Sequence, residues 1–155
     1  MTTQHIGAAG ELLVQYRFLK HDVDSARLTT DAGVDLVAYS PTDGQATTIQ
    51  VKTVRQASPA GGRAGAPLAV GWWFPHATKA ELLAFVLLET DDVWLFTLDE
   101  ARDLAQQHND RGQRQLYWYT DPERVPRGAR QRVDLDDFLF ERRVSELFLS
   151  AAITY

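Results

Sequence analysis

The chain is expected to fold as an α/β domain. Three observations carry that expectation: an apolar-rich helical pattern at the start, two strand-like runs joined by a Pro/Asp/Gly turn, and a later strand pair that leads into another helix. At 155 residues the chain reads as one domain, 1–155, large enough to bury a substantial core.

The first helix is predicted from about Thr3 to Lys20, with Thr2 or Thr3 as its N-cap. Ile6, Ala9, Leu12, Leu13, Val14, Tyr16, Phe18 and Leu19 cover most of its circumference, so burial on more than one side is expected. Glu11 falls between Gly7, Ala8 and Phe18 on the helical wheel, away from any obviously solvated face. A helical Glu is ordinarily a surface residue, and this setting sits poorly with that.

Three strands follow: a weak one over Ser25–Thr30, a stronger one over Val34–Tyr39, and the strongest over Ala46–Val54. Ser40-Pro41-Thr42-Asp43-Gly44 makes the last two a hairpin. Side chains alternate between the faces of a strand, so Asp35, Val37 and Tyr39 share one face, and Gln50 and Lys52 lie opposite Ile49 and Val51. The hairpin can set Asp35 beside Gln50 and Lys52, and such a polar trio needs solvent or partners.

The Gly/Pro/Ala loop over Ser58–Pro67 lacks Gly-Lys-Ser/Thr and is not a nucleotide-binding P-loop. Trp72-Trp73-Phe74 reads as core rather than as a base-stacking platform. Leu82–Glu89 and Val93–Leu98 form a second hairpin around Thr90-Asp91-Asp92. Asp99 is the expected cap of a helix from about Glu100 to Gln107. Gln115–Thr120 is a further strand, and Asp136–Leu149 a closing helix.

Composition narrows the chemistry. There is no cysteine, which removes disulfide frameworks and thiolate zinc sites. The histidines His5, His21, His76 and His108 lack paired ligand spacing, and no Gly-x-Ser-x-Gly occurs. No signal peptide or membrane-length apolar run is evident, so a cytoplasmic protein without membrane association is expected. The net charge of −5 does not favour nucleic acid, but local charge matters more. Arg111, Arg114, Arg124, Arg127, Arg130 and Arg132 cluster with only Asp121 and Glu123 among them, and Arg55 and Arg63 flank the glycine-rich loop. The alternative to a binding role is a solvated basic face.

Glu11 on a helix, Gly33-Val34-Asp35-Leu36 on one strand and Gln50-Val51-Lys52 on the next resemble the PD-(D/E)XK nuclease superfamily over the first 55 or so residues. The later hairpin and short helix, Phe85-Val86-Leu87-Leu88 through Trp94-Leu95-Phe96 to Glu100, are similar to small bacterial members, among them Holliday-junction-resolvase-like proteins and intron-encoded homing endonucleases. Val34 stands before the Asp where Pro is common, and Gln50 replaces the usual acidic residue. The resemblance implies a restriction-endonuclease-like core, a central mixed β-sheet flanked by helices. It also implies a Mg2+-dependent DNA endonuclease that hydrolyses phosphodiester bonds, with Mn2+ as a substitute ion.

Magnesium favours hard oxygen ligands in octahedral geometry. The resemblance makes Glu11, Asp35, Gln50 and Lys52 the catalytic residues. Asp35 would be the charged ligand, Gln50 a neutral amide ligand and Val51 a carbonyl ligand, with Glu11 binding through water or at a second ion. Lys52 would orient the attacking water and stabilise charge on the phosphate. Arg55, Arg63, Arg124, Arg127, Arg130 and Arg132 are the candidate nucleic-acid contacts, with DNA as the polymer and RNA left open. Duplex cleavage needs two sites, so a homodimer or higher homo-oligomer is expected. The alternative is a catalytically inactive nucleic-acid-binding or interaction module on the same fold, with Asp35, Gln50 and Lys52 as a salt-bridged polar patch.

Overall fold

The structure, a computed structural model, describes residues 1–30 and 32–149. Helix α1 spans Thr3–Leu19, and Thr2 caps it by accepting the His5 N–H at 3.3 Å. Its buried residues are Gly10, Val14 and Phe18, a single stripe. Leu12, Tyr16 and Leu19 are exposed, which corrects the expectation of a helix buried on more than one side. The helix lies on the outer layer: the stripe toward the sheet is buried, and beside it Glu11, Gln15 and Arg17 reach Arg27, the Ser25 carbonyl and Glu141.

Strands β1 (Asp24–Arg27), β2 (Leu36–Tyr39) and β3 (Ala46–Val54) form an antiparallel meander. After β3 the chain leaves this sheet for β4 (Ser58–Pro59) and β5 (Leu68–Pro75). It returns as β6 (Leu82–Leu87) and β7 (Asp92–Thr97), and β6 lies parallel to β3. The result is a mixed five-stranded sheet in the order β1-β2-β3-β6-β7. Helix α2 (Leu98–Leu104) follows, then β8 (Gln107–His108) and β9 (Gln113–Tyr119). The last two complete an antiparallel sheet in the order β4-β5-β9-β8. This is the α/β architecture expected, with a central mixed sheet and flanking helices. The second sheet was not foreseen.

Alternation along the central strands divides the core. Ile49, Val51, Leu82, Ala84 and Val86 face α1 and the closing helical segment. Leu83, Phe85 and Leu87 face the second sheet and meet Trp72, Phe74, Trp94 and Trp118. Every residue of β6 is buried, as a strand covered on both faces requires. Within Trp72-Trp73-Phe74 the same alternation buries Trp72 and Phe74 and leaves Trp73 exposed, so only two of the three belong to the core.

Two helix expectations change. The cap of α2 is Thr97, not Asp99: Thr97 and Glu100 form a reciprocal capping box at 3.0 and 3.2 Å. The closing segment is not one helix. A 3-10 stretch over Arg132–Phe138 breaks at extended Leu139 before α3 (Phe140–Val144), which runs into a π-helical turn over Ser145–Leu149. Leu139 bridges to Trp94 of β7, and that tertiary contact interrupts the helix.

Gly10 lets α1 lie directly on β3. A Cβ there would sit 1.8 Å from Thr53 Oγ1, an overlap that forces the helix or strand to move. Gly10→Ala is therefore expected to destabilise the fold by about 1–3 kcal/mol, outweighing the gain in helix propensity. Urea unfolding of G10A, T53A and the double variant checks this, because Thr53→Ala should recover part of the loss. Additive effects would place the strain elsewhere. No helix among the described residues is long and apolar enough to cross a membrane.

Candidate active site

The site forms where β2 begins beside the middle of β3. The ladder pairs Leu36 with Ile49, so the next pair is Asp35 with Gln50. The Asp35 N–H donates to Ile49 O at 2.9 Å. Beyond it β2 has ended, and the Val51 N–H donates instead to Asp35 Oδ2 at 2.7 Å. The carboxylate thus takes the place of the next ladder carbonyl and is held against the open edge of β3.

Backbone direction adds one more oxygen. Thr48 O and Val54 O accept from Glu81 and Leu88 at the β6 side, so the even-numbered groups of β3 point to β6. The odd-numbered groups point the other way, and the Val51 carbonyl therefore faces the Asp35 edge. Leu36 and Ile49 both enter the core under α1, so alternation places Asp35, Gln50 and Lys52 together on the opposite face. There Gln50 neighbours Leu83, and Lys52 neighbours Phe85.

Gln50 is only 6% exposed, and its Oε1 is buried without a hydrogen-bond partner. Ser25 Oγ, Thr53 Oγ1, Asp136 Oδ1 and the Nε1 atoms of Trp94 and Trp118 are also buried without a partner among the described residues, but Gln50 is the one that lies across the ladder from Asp35. A buried acceptor left alone costs about 1–3 kcal/mol and calls for an explanation. The Lys52 side chain is half-buried and makes no ion pair or hydrogen bond with any described residue, Asp35 included. The salt-bridged polar patch is therefore not what forms.

Glu11 lies one residue beyond the Gly10 contact. It shares an open cavity of about 220 Å³ with Asp35, Val34 and Arg27. Its Oε2 accepts from Arg27 Nε at 2.8 Å and Nη2 at 2.7 Å. Gln50 and Lys52 do not line that cavity. The structure thus brings Glu11 to Asp35, and Asp35 to Gln50, Val51 and Lys52, without gathering all five around one void. No group of three or more Asp, Glu, His or Cys side chains able to hold a metal occurs among the described residues, since Glu11 and Asp35 are the two carboxylates here.

The predicted arginines divide. Arg55 and Arg127 are exposed and unpaired among the described residues, and Arg63 stands in the glycine-rich loop. Arg124 donates to Gly65 O at 2.7 Å, and Arg130 to Leu104 O at 2.7 Å. Arg132 pairs with Asp92 at 3.0 Å and lies over the Trp94 ring. Arg130 and Arg132 therefore tie loops to the second core.

The residues that sequence reasoning missed belong to the connection from β5 to β6. Thr78 Oγ1 donates to Gly33 O at 3.3 Å, clasping this loop to the turn that presents Asp35. Two residues earlier, the His76 carbonyl accepts from Arg102 Nε at 2.8 Å, and Arg114 Nε donates to His76 Nδ1 at 2.7 Å. Partial desolvation, then the Arg114 and Arg102 guanidiniums, hold the His76 imidazole below its usual pKa, as a ring that accepts a hydrogen bond requires. No local pattern announces a contact between residues 78 and 33.

The fold is similar to that of a bacterial homing endonuclease, I-Ssp6803I. The TM-score is 0.55 at 14% sequence identity, over 82% of this chain and 86% of that chain. No family model and no curated protein sequence matches the chain. The likeness is one of fold.

Proposed function

We propose that the protein is a metal-dependent DNA endonuclease of the PD-(D/E)XK type. The observation that carries this is the buried, unpartnered Oε1 of Gln50 beside the anchored carboxylate of Asp35. The donor set fits Mg2+, or Mn2+ in its place, in its chemistry: one carboxylate, one amide oxygen and one backbone carbonyl, all hard oxygens. Asp35 would hold the ion through Oδ1, because Oδ2 is committed to the Val51 N–H. Gln50 and the Val51 carbonyl would complete the protein ligands. A bound divalent ion supplies Lewis-acid polarisation of the scissile phosphate and a more acidic water.

This chain's own groups then have defined tasks. Lys52, free of ion pairs among the described residues, places positive charge where the phosphate gains negative charge. Glu11 pairs with Arg27 at the cavity it shares with Asp35, and would act there through a water or a second ion. The fold likeness to a homing endonuclease agrees with DNA as the polymer. A homo-oligomer follows from the need for two cuts per duplex.

Two observations favour an inactive binding module. Glu11 is already neutralised by Arg27, and Asp35 already spends one oxygen on the backbone. The test is a cleavage panel of supercoiled, linear, single-stranded and four-way-junction DNA, with Mg2+, Mn2+ or EDTA. Cleavage that requires metal supports the endonuclease. Binding without cleavage of any substrate supports the module.

Gln50→Glu separates the two further. Without metal, a carboxylate at this buried position should cost about 1–3 kcal/mol of stability. Mg2+ should restore it, so the rise in Tm on adding Mg2+ is expected to be larger in Q50E than in wild type, and the metal requirement for cleavage lower. A Tm unresponsive to Mg2+ and Mn2+ in both proteins would argue against metal at this position.

A further inference from the structure

The outer face of the second sheet carries a recess whose lining includes none of the candidate active-site residues. Alternation on β5 and β9 sends Trp72, Phe74, Leu116 and Trp118 into the core and turns Gly71, Trp73, Gln115, Tyr117 and Tyr119 outward. The pairing is specific. Tyr117 lies across from Gly71, and Tyr119 from Ala69, so neither tyrosine ring is covered by a large neighbour on β5. At Gly71 even a Cβ would come within 2.9 Å of the Tyr117 Cβ, so the floor is as low as a strand allows.

The recess measures about 380 Å³. Gly61 stands in one wall and Gln107 in another, with Gly71, Gln115, Tyr117 and Tyr119 between them. The tyrosine centroids are 6.4 Å apart with the rings at 77°, so one offers a face where the other offers an edge. Gln106 grips the Tyr117 backbone from both sides, donating to its carbonyl at 2.6 Å and accepting from its N–H at 3.1 Å. The side-chain amides of Gln107 and Gln115 have no hydrogen-bond partner among the described residues. Arg63 Nε lies 3.9 Å from where a Gly61 Cβ would stand, which places a cation at the rim. Asp121 and Glu123 flank Arg124 nearby, so the rim's positive charge rests mainly on Arg63.

From this we infer that the recess binds an unpaired nucleobase of a single-stranded nucleic-acid segment. Aromatic rings on an open sheet face stack bases regardless of sequence, and free amides can bond base edges. A cation at the rim meets the backbone phosphate. A duplex presents its bases edge-on at the bottom of a groove and would need a protruding element. A recess with a glycine wall instead admits a single flat ring. The inference rests on the nuclease reading for the identity of the polymer, and it adds an unpaired region to the substrate.

The test is titration of a fluorescein-labelled oligothymidylate, and of its duplex with oligodeoxyadenylate, followed by anisotropy in EDTA so that cleavage plays no part. Tyr117→Ala with Tyr119→Ala should weaken binding of the unpaired strand by about 10- to 100-fold. The paired Phe substitutions keep the rings and should retain binding. Tyr119→Ala alone, at the strand end, guards against a folding defect, and thermal unfolding checks every variant. The inference is overturned if the double Ala variant binds as well as wild type, if the Phe variant loses as much as the Ala variant, or if wild type prefers the duplex. Wild type that cleaves DNA with Mg2+ yet ignores the unpaired strand refutes this site and leaves the nuclease standing. Tyr-dependent binding without cleavage by any metal does the reverse.

Discussion

Lys52→Ala is expected to reduce metal-dependent DNA cleavage by at least about 10²–10³-fold, the usual loss when a donor to developing charge is removed. The fold should survive, since the Lys52 side chain is half-buried and bonds to no described residue. Asp35 needs a more careful substitution. Asp35→Ala strands the Val51 N–H at the strand edge and should cost about 1–3 kcal/mol of stability in addition to activity. Asp35→Asn keeps an acceptor for that N–H and removes only the charge, so it should retain stability and lose cleavage. The readouts are single-turnover cleavage rates with Mg2+ alongside urea unfolding. Wild-type rates for K52A, with contaminating nuclease excluded by a mock purification, would end the assignment of this site.

Trp72→Ala should produce the largest loss of stability, about 3–5 kcal/mol. Trp72 is stacked on Phe85 with centroids 5.2 Å apart and planes at 3°, and its ring also meets Trp118 at 4.9 Å and Trp94 at 5.8 Å. Its Nε1 donates to Val86 O at 3.2 Å, a direct bond from the second sheet to the central one. Truncation removes both the packing and that bond. Total stabilities are about 5–15 kcal/mol, so the variant should be partly unfolded at physiological temperature. Chemical denaturation measures this. A loss under about 1 kcal/mol would mean that the two sheets are not held together through this cluster.

The two expectations rest on different levels of legibility. That Asp35, Gln50 and Lys52 share a face follows from a period of two along a strand, a backbone property, together with a short hairpin that sets the register. Helix α1 and its Thr2 cap are equally local. The same local reasoning misplaced the α2 cap, because Thr97 and Asp99 are both good caps and the end of β7 decides between them. It also made one helix of the closing segment, where Leu139 is drawn out to bridge Trp94.

What the amino-acid sequence by itself determined is the order of α1, the β1–β3 meander, the β6–β7 hairpin, α2 and β9, the alternation that puts an acid, an amide and a lysine on one face of a hairpin, and the absence of cysteine chemistry. Tertiary structure alone decided how those groups are satisfied. Glu11 meets Arg27, the Asp35 carboxylate replaces a missing ladder carbonyl, and Gln50 is buried with its oxygen unpaired. It likewise decided that Trp72 is core while Trp73 is surface, and that Tyr117 and Tyr119 look onto the small residues of β5. The physical reason is range. Periodicity fixes where a side chain points relative to its own strand, whereas the partner it finds depends on which distant segment the fold lays against that face.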